Sequence, residues 1–431
     1  MVDRTPPLET EAPEVPLRRN GEYLAWLGGD IASGIGSGIG MFAFPLIAFA
    51  VTGSTVATGI VGLIQGIGLL VGMLPGGVIA DRMDRRKLRM LSGALGVMVQ
   101  ILLVAALILS IADLRVLATL AAADRFRASL LGSASNAMLK QLVPARQLPT
   151  AMSVNEGRDA AIEIGAGPVG AALLAWHLAA PILAQALGSA INLICTLLMR
   201  SDYRPREADA GPSSVLTDLA HGLRWILGQP VRIQIALAAS LVNLGSNGAL
   251  LAMTLHLAAE GVPPVRIGLL NTALAVAILA GSIAAPRLVA SVPTGLLTMV
   301  QLGVIAAVTA LLPLLPNLWM IAGAYAMIGI GLAPLNAATM GFFMHITPGD
   351  MLGRAGAMTG LLAMGMMPLA PAVAGWGLEE WGPVATLLLF AGVCAAGALA
   401  FLVGGPAHRI PASGRWEEFS LASGMTEPTR S

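Results

Sequence analysis

Charge is what this sequence has least of. Of 431 residues only 11% are charged, 56% are hydrophobic, and mean hydropathy is +0.78. A soluble domain carries about 25% charged residues, so this chain cannot clothe a water-facing surface. Aromatic residues make up only 4%, and no ligand-specific cavity motif is built from them. Two cysteines, Cys195 and Cys394, stand alone inside apolar runs without metal-ligand spacing. They read as packing residues and leave the redox compartment open. The five histidines show no ligand spacing, and no Walker loop, HExxH or GxSxG occurs. These absences argue against ATP-driven work, metal or cofactor chemistry and the common membrane hydrolases. The net charge of +1 says little about partners, because the distribution of charge matters more than its sum, and no nucleic-acid partner is expected.

What is present is a series of apolar runs of roughly 20 residues, the length that crosses a bilayer's hydrocarbon core. Twelve helical spans are expected near 23–51, 56–80, 90–111, 114–139, 150–178, 180–200, 230–257, 265–289, 295–315, 317–345, 355–378 and 383–405. Residues 1–21 contain Pro6, Pro7, Pro13, Pro16 and mixed charges, with no apolar core before a cleavage site. They read as a disordered cytoplasmic tail, not a signal peptide. The expected division is a six-helix half over 22–200 and a central cytoplasmic loop with an amphipathic helix over 201–229. A second six-helix half over 230–405 and a cytoplasmic tail over 406–431 complete it.

With the N-terminus inside, 20 of the 25 basic residues fall on the cytoplasmic side, and the other face keeps only Arg115 and Arg266. That is a strong positive-inside bias and predicts that both termini are cytoplasmic. The densest knot is the connection between spans 2 and 3, where Asp81, Arg82, Asp84, Arg85, Arg86, Lys87 and Arg89 crowd into nine positions. There is also an internal echo. "GGVIADR" (76–82) pairs with "AGSIAAPR" (280–287), Gly77 with Gly281, and Pro144 pairs with Pro348, both 204 residues apart. Two repeated halves of six spans are a transporter architecture, with a site at their interface.

The stretch from Gly77 to Arg86, Gly-Val-Ile-Ala-Asp-Arg-Met-Asp-Arg-Arg, resembles the signature between helices 2 and 3 of the major facilitator superfamily, Gly-x-Leu-Ala-Asp-Arg-x-Gly-Arg-Lys. Asp84 replaces the second glycine, as in the branch of macrolide-efflux proteins and enterobactin-type siderophore exporters. "DLAHGLRWILGQPVRI" (218–233) and "TPGDMLGRAGAM" (347–358) resemble that branch's central-loop helix and 10–11 loop. The resemblance covers about residues 20–405. It implies an all-α plasma-membrane transporter of twelve helices working as a monomer by alternating access. The expected activity is proton-coupled efflux of a lipophilic drug-like compound or secondary metabolite. Siderophore export is the alternative, and a membrane-embedded sensor or enzyme is the reading from a different class. The resemblance also implies that Asp81, with Gly77, Arg82, Arg85 and Arg86 around it, latches the two halves together on the cytoplasmic side. The competing reading is that this loop only enforces topology.

Charges inside spans are the remaining signal, since each costs about 2.5–3.5 kcal/mol at the bilayer centre and needs a partner or a cavity. Asp30 lies in span 1, Asp124, Arg125 and Arg127 in span 4, and Glu156, Arg158, Asp159 and Glu163 in span 5. Glu156, Asp159 and Glu163 share one helical face. Arg125 and Arg127 match Glu163 in depth, so arginine–carboxylate pairs across the span 4/5 interface are expected. Either these pairs are structural, or one carboxylate carries the coupling proton, with Glu163 first, then Asp159 and Asp30. Desolvation favours a neutral carboxyl and a nearby arginine the charged one, so such a pair can toggle. Acidic residues are absent from the span interiors of the second half, which confines a carboxylate-coupled site to the first.

By the family's architecture, spans 1, 4, 7 and 10 line the cavity. Its candidate polar contacts are Asp30, Ser33, Ser37, Gln65, Asn243, Asn247 and Asn336, the competing role being hydrogen bonds between helices. "GAGPVG" (165–170) formally matches a dinucleotide fingerprint but follows no strand. It is closer to the Gly-Pro motif of superfamily antiporters, with Glu163 where a glycine is expected.

Overall fold

A computed structural model of the protein describes residues 16–201, 203–204, 215–348, 351–403 and 405–425. Every regular element among them is helical. The first half comprises α1 (Gly21–Thr52), α2 (Thr55–Arg82), α3 (Arg85–Ile108), α4 (Leu114–Leu142), α5 (Leu148–Trp176) and α6 (Ala180–Leu198). After the connecting helix α7 (Val215–Leu227), the second half comprises α8 (Pro230–Ala259), α9 (Pro264–Ser291), α10 (Thr294–Leu311), α11 (Leu318–Ile346), the pair α12 (Leu352–Gly365) and α13 (Leu369–Glu380), and α14 (Gly382–Val403). A short α15 (Trp416–Ala422) follows.

Ten elements, counting α12 and α13 as one broken span, are long and apolar enough to cross a membrane. The other two spans are α4 and α5. At 29 residues each they reach about 43 Å, but their internal charges lower their hydropathy. The all-α, twelve-span architecture is therefore present. Span 11 breaks at Met366–Pro368, where a proline interrupts the helix.

Two ends of the bundle are chemically distinct. The end where α2 passes into α3 collects the basic residues and is called the basic end below. At the opposite end Trp176, Trp319, Trp376 and Trp381 are exposed, as amphipathic indoles are at a membrane interface. The charged knot is not a loop. α2 continues to Arg82 and α3 begins at Arg85, leaving Met83 and Asp84 between them, with Asp84 capping the Arg86 N–H.

The repeat is real in the helices but its register differs from the expected one. Leu142 and Ile346 close α4 and α11, 204 residues apart, as the proline landmarks require. Arg82 and Ser291 close α2 and α9, 209 residues apart. Gly281 faces the Ile330 carbonyl as Gly72 faces that of Phe126, so Gly72, not Gly77, is its counterpart. The difference is absorbed by α10, which is shorter than α3.

The second half has a large apolar core running from Val231 to Phe401 and on to Met425, with a small separate cluster of Ile226, Ala236 and Met358 where α7 and α12 meet α8. In the first half the buried apolar residues form separate clusters, one around Phe42–Ala48 near the opposite end and another around Trp26, Met138 and Tyr203 at the basic end. Polar networks lie between them.

The halves meet at the opposite end and part at the basic end. At the opposite end α2 packs on α13 and α5 on α9. A Cβ on Gly59 would stand 2.5 Å from the Pro371 carbonyl oxygen, so only glycine permits this approach. Toward the basic end α12 lies against α7 and α8 instead of α2, and the α5 residues Met152, Ser153, Val154, Glu156 and Asp159 are exposed. This is the geometry of a bundle open at its basic end.

Candidate functional site

Halfway along α5, Glu163 projects from the first half into a cavity of about 300 Å³ whose other walls belong to the second half. Asn243, Ser246 and Asn247 of α8 and Asn336 and Thr339 of α11 supply its polar groups, and Leu274 and Leu332 are typical of its apolar wall. Ser246 and Thr339 spend their hydroxyls on their own helices, on the Val242 and Leu335 carbonyls. Asn247 donates to the Asn243 carbonyl one turn earlier. Asn243 donates across to the Ala363 carbonyl (3.2 Å), in the last turn of α12 just before span 11 breaks. Among the described residues neither Glu163 nor the Asn336 amide has a hydrogen-bond or ion-pair partner, and both are exposed to the cavity. An apolar chamber with a few convergent polar groups is the general form of a small-molecule site.

The expected pairing of Glu163 with Arg125 or Arg127 is not formed. The reason is topological: α4 packs on α2 and α3, whereas α5 packs on α1 and α9, so these two consecutive spans lie against different helices. Arg127 pairs with Asp124 one turn away on its own helix (2.8 Å) and also donates to the Ser92 carbonyl and hydroxyl. Gln100 and Gln185 complete the shell around Asp124, at 3.3 and 3.1 Å. Arg125 makes no ion pair among the described residues, although it feels the charges of Asp124 and Arg127 on its own helix.

Asp30 is the centre of a second network nearer the basic end. Its carboxylate accepts from Arg89 (2.8 Å), Arg158 (3.0 Å) and the Ser135 hydroxyl (2.7 Å), joining α1 to α3, α5 and α4. Arg89 also donates to the Trp26 carbonyl and the Thr196 hydroxyl, and lies over the Trp26 ring. Arg158 reaches on to Asp159 (2.9 Å), which is 61% exposed. Ser33 and Ser37 of α1 and Gln65 of α2 are not among the residues lining the Glu163 cavity.

At the signature, Arg85 donates to the Ala80 carbonyl at the end of α2, and Arg86 to the Thr196 and Leu197 carbonyls at the end of α6. Each arginine thus caps a helix C-terminus within its own half, where cations are favoured. Arg82 is exposed, nothing stands within 4 Å of a Cβ placed on Gly77, and the Asp81 side chain lies outside the described residues.

Sequence reasoning missed Arg89, Ser135, Gln100 and Gln185 as partners. Arg89 falls one residue outside the expected span 3, among the charges of the knot, and the helix's start at Arg85 is what places it inside.

Residues 27–290 match the sequence profile of the Major Facilitator Superfamily. Among characterised proteins, the multidrug efflux pump Tap of Mycolicibacterium fortuitum is 28% identical over 389 residues, 86% of this chain and 92% of that protein. Among solved structures, the nucleoside transporter NupG superposes with a TM-score of 0.71 at 14% identity, covering 90% of this chain and 98% of NupG. A bacterial homologue of the iron transporter ferroportin, in its inward-facing state, superposes with a TM-score of 0.66 at 17% identity, covering 89% and 100%. At these identities the structural likeness speaks for the fold alone.

Proposed function

The chain belongs to the Major Facilitator Superfamily and is a multi-pass membrane transporter, not an enzyme, and from that premise we propose that it is a proton-coupled exporter of lipophilic, drug-like compounds. The observation that carries the proposal is Glu163. Among the described residues it is a mid-span carboxylate with no hydrogen-bond or ion-pair partner, and it faces the chamber between the halves. Asp30 and Asp124 are held by arginines and hydrogen bonds within the first half, which suits them to structure. A carboxylate in an apolar chamber can be neutralised by a proton or by a cationic substrate, and exclusive occupation by one or the other couples opposite fluxes. The lining residues include no lysine or arginine, which disfavours a polyanionic iron chelate as cargo. The efflux-pump relative supports the outward direction.

In this reading the basic end faces the cytoplasm, both termini are cytoplasmic, and the structure is the inward-open state, ready to load. Reporter fusions at the two termini test the orientation, and an external signal from either would reverse it. The coupling test uses proteoliposomes with an imposed pH gradient, a lipophilic cation such as ethidium as cargo and a pH dye inside. Glu163→Gln should abolish gradient-driven transport and cargo-induced proton release, while ethidium exchange without a gradient persists at weakened affinity, since the neutral side chain no longer offers the cation a countercharge. Undiminished gradient-driven transport would move coupling to another residue.

A further inference from the structure

The seal at the opposite end contains a charged contact that neither the signature nor the cavity accounts for. Glu379, in the last turn of α13, turns its carboxylate onto the first turn of α2 in the other half. Its Oε2 accepts from the Val56 N–H (3.4 Å), the Ser54 hydroxyl (3.2 Å) and the Thr55 hydroxyl (3.5 Å). The Thr55 hydroxyl also donates to the Gly375 carbonyl (2.9 Å), one turn earlier on α13. Ser54 is the N-cap of α2 and satisfies Ala57, so the Val56 N–H would otherwise be an orphan of the helix start. Glu379 supplies its acceptor from across the interface.

The placement is asymmetric in energy. Negative charge is disfavoured at a helix C-terminus and favoured at an N-terminus. Glu379 sits at the wrong end of its own helix and at the right end of α2, because the two helices run antiparallel. Beneath it the approach is tight: a Cβ on Gly375 would collide with the Thr55 carbonyl, and Gly62 and Gly66 take the rings of Pro371 and Pro368. If the halves separate here, Glu379 is left on the unfavourable end of α13 and the Val56 N–H loses its partner.

We propose that Glu379 is a gate-positioning residue of the transport cycle, holding the opposite end shut by capping α2 across the interface between the halves. It rests on the alternating-access reading of the transporter. α2 then carries a docking feature at each end, Ser54–Val56 at one and the Gly77–Arg86 signature at the other, and rocks between them.

The test is spin-label distance measurement on full-length protein in a Cys195→Ser, Cys394→Ala background. One label pair, at Ile111 and Glu260, spans the opposite end, and a second pair, at Met83 and Ser291, spans the basic end. Glu379→Gln should raise the ratio of opposite-end-open to opposite-end-closed protein about fivefold, the effect of losing one charge–helix-terminus contact. The basic-end pair should shorten in parallel. Glu380→Gln, on the adjacent residue that makes none of these bonds, should leave both distributions as in the wild type. If Glu379→Gln matches the wild type while the wild type samples both states, the latch is overturned. An equal shift in Glu380→Gln overturns it too, since general charge at that end would then suffice. A chain that holds one state at both ends in every variant, with and without ethidium, overturns the alternating-access reading itself.

Discussion

Arg89 Nη1 lies 2.8 Å from Asp30 Oδ1, with the arginine side chain only 3% exposed and the aspartate 17%. A pair this buried is held by what surrounds it. Arg89 finds further acceptors in Trp26 and Thr196, and Asp30 finds a second arginine in Arg158. Removing one partner strands a charge that the other helices cannot solvate, which typically costs about 3–5 kcal/mol. Asp30→Ala should therefore lower the apparent melting temperature in detergent by roughly 5–10 °C. Adding Arg89→Gln should recover part of that loss. Melting of Asp30→Ala at the wild-type temperature would show that the network contributes nothing to the fold.

Asn243 and Asn336 look alike in the sequence and are used differently in the structure. Asn243 holds the broken end of α12 through the Ala363 carbonyl, whereas the Asn336 amide lines the chamber and has no hydrogen-bond partner among the described residues. Asn243→Ala should cost on the order of 1 kcal/mol, seen as a melting shift of a few degrees. Asn336→Ala should melt as the wild type does and raise the KM for transported cations about threefold, the worth of one modest hydrogen bond. The reverse assignment of effects would refute this division.

The signature's role turns on Asp81, since Arg85 and Arg86 already cap helix ends inside their own half. If Asp81 latches the basic end in the outward-open state, Asp81→Asn should slow transport at least tenfold at unchanged expression. Cysteine reagents should then reach basic-end positions more readily than in the wild type. Wild-type transport rates would leave topology as the only work of the knot.

Much of the fold was legible because it rests on one strong constraint. A chain with so little charge must bury its backbone polar groups in helices, and the placement of Arg and Lys orients them. The candidate site was legible in part. Glu163, Asn243, Asn247 and Asn336 could be singled out by polarity within apolar runs, and the structure gathers them at one chamber. Their partners could not be, because partnership follows which helices pack together. Spans 4 and 5 are joined by a short connection yet lie against different neighbours, so depth matching paired Glu163 with arginines it does not meet. Glu379 lies at the end of an apolar run, where the sequence shows no partner for it, and only the antiparallel contact of α13 with α2 gives it an N-terminus to cap.

The C-terminal segment, expected from the sequence as a tail over 406–431, offers a last prediction, since its described part, 406–425, folds back on the basic end of the second half. Gly295 and Thr294, at the start of α10, donate to the Ile410 and Pro411 carbonyls. The Trp416 indole donates to the Thr294 hydroxyl (3.0 Å) and the Pro411 carbonyl (3.1 Å), and packs edge-on against Phe342. Further on, Arg232 reaches the Met425 carbonyl while its guanidinium lies 3.7 Å over the Trp225 ring, which ties the segment to α7. Trp416→Ala removes a half-buried indole and its two hydrogen bonds, a loss of about 3 kcal/mol. The variant should melt several degrees lower, and protease should cleave beyond residue 405 faster than in the wild type. Trp416→Phe keeps the packing and loses only the donor, so it should recover about half of the stability. If Trp416→Ala resists protease as the wild type does, the segment is not held by this residue, and the contacts at Gly295 and Arg232 carry it instead.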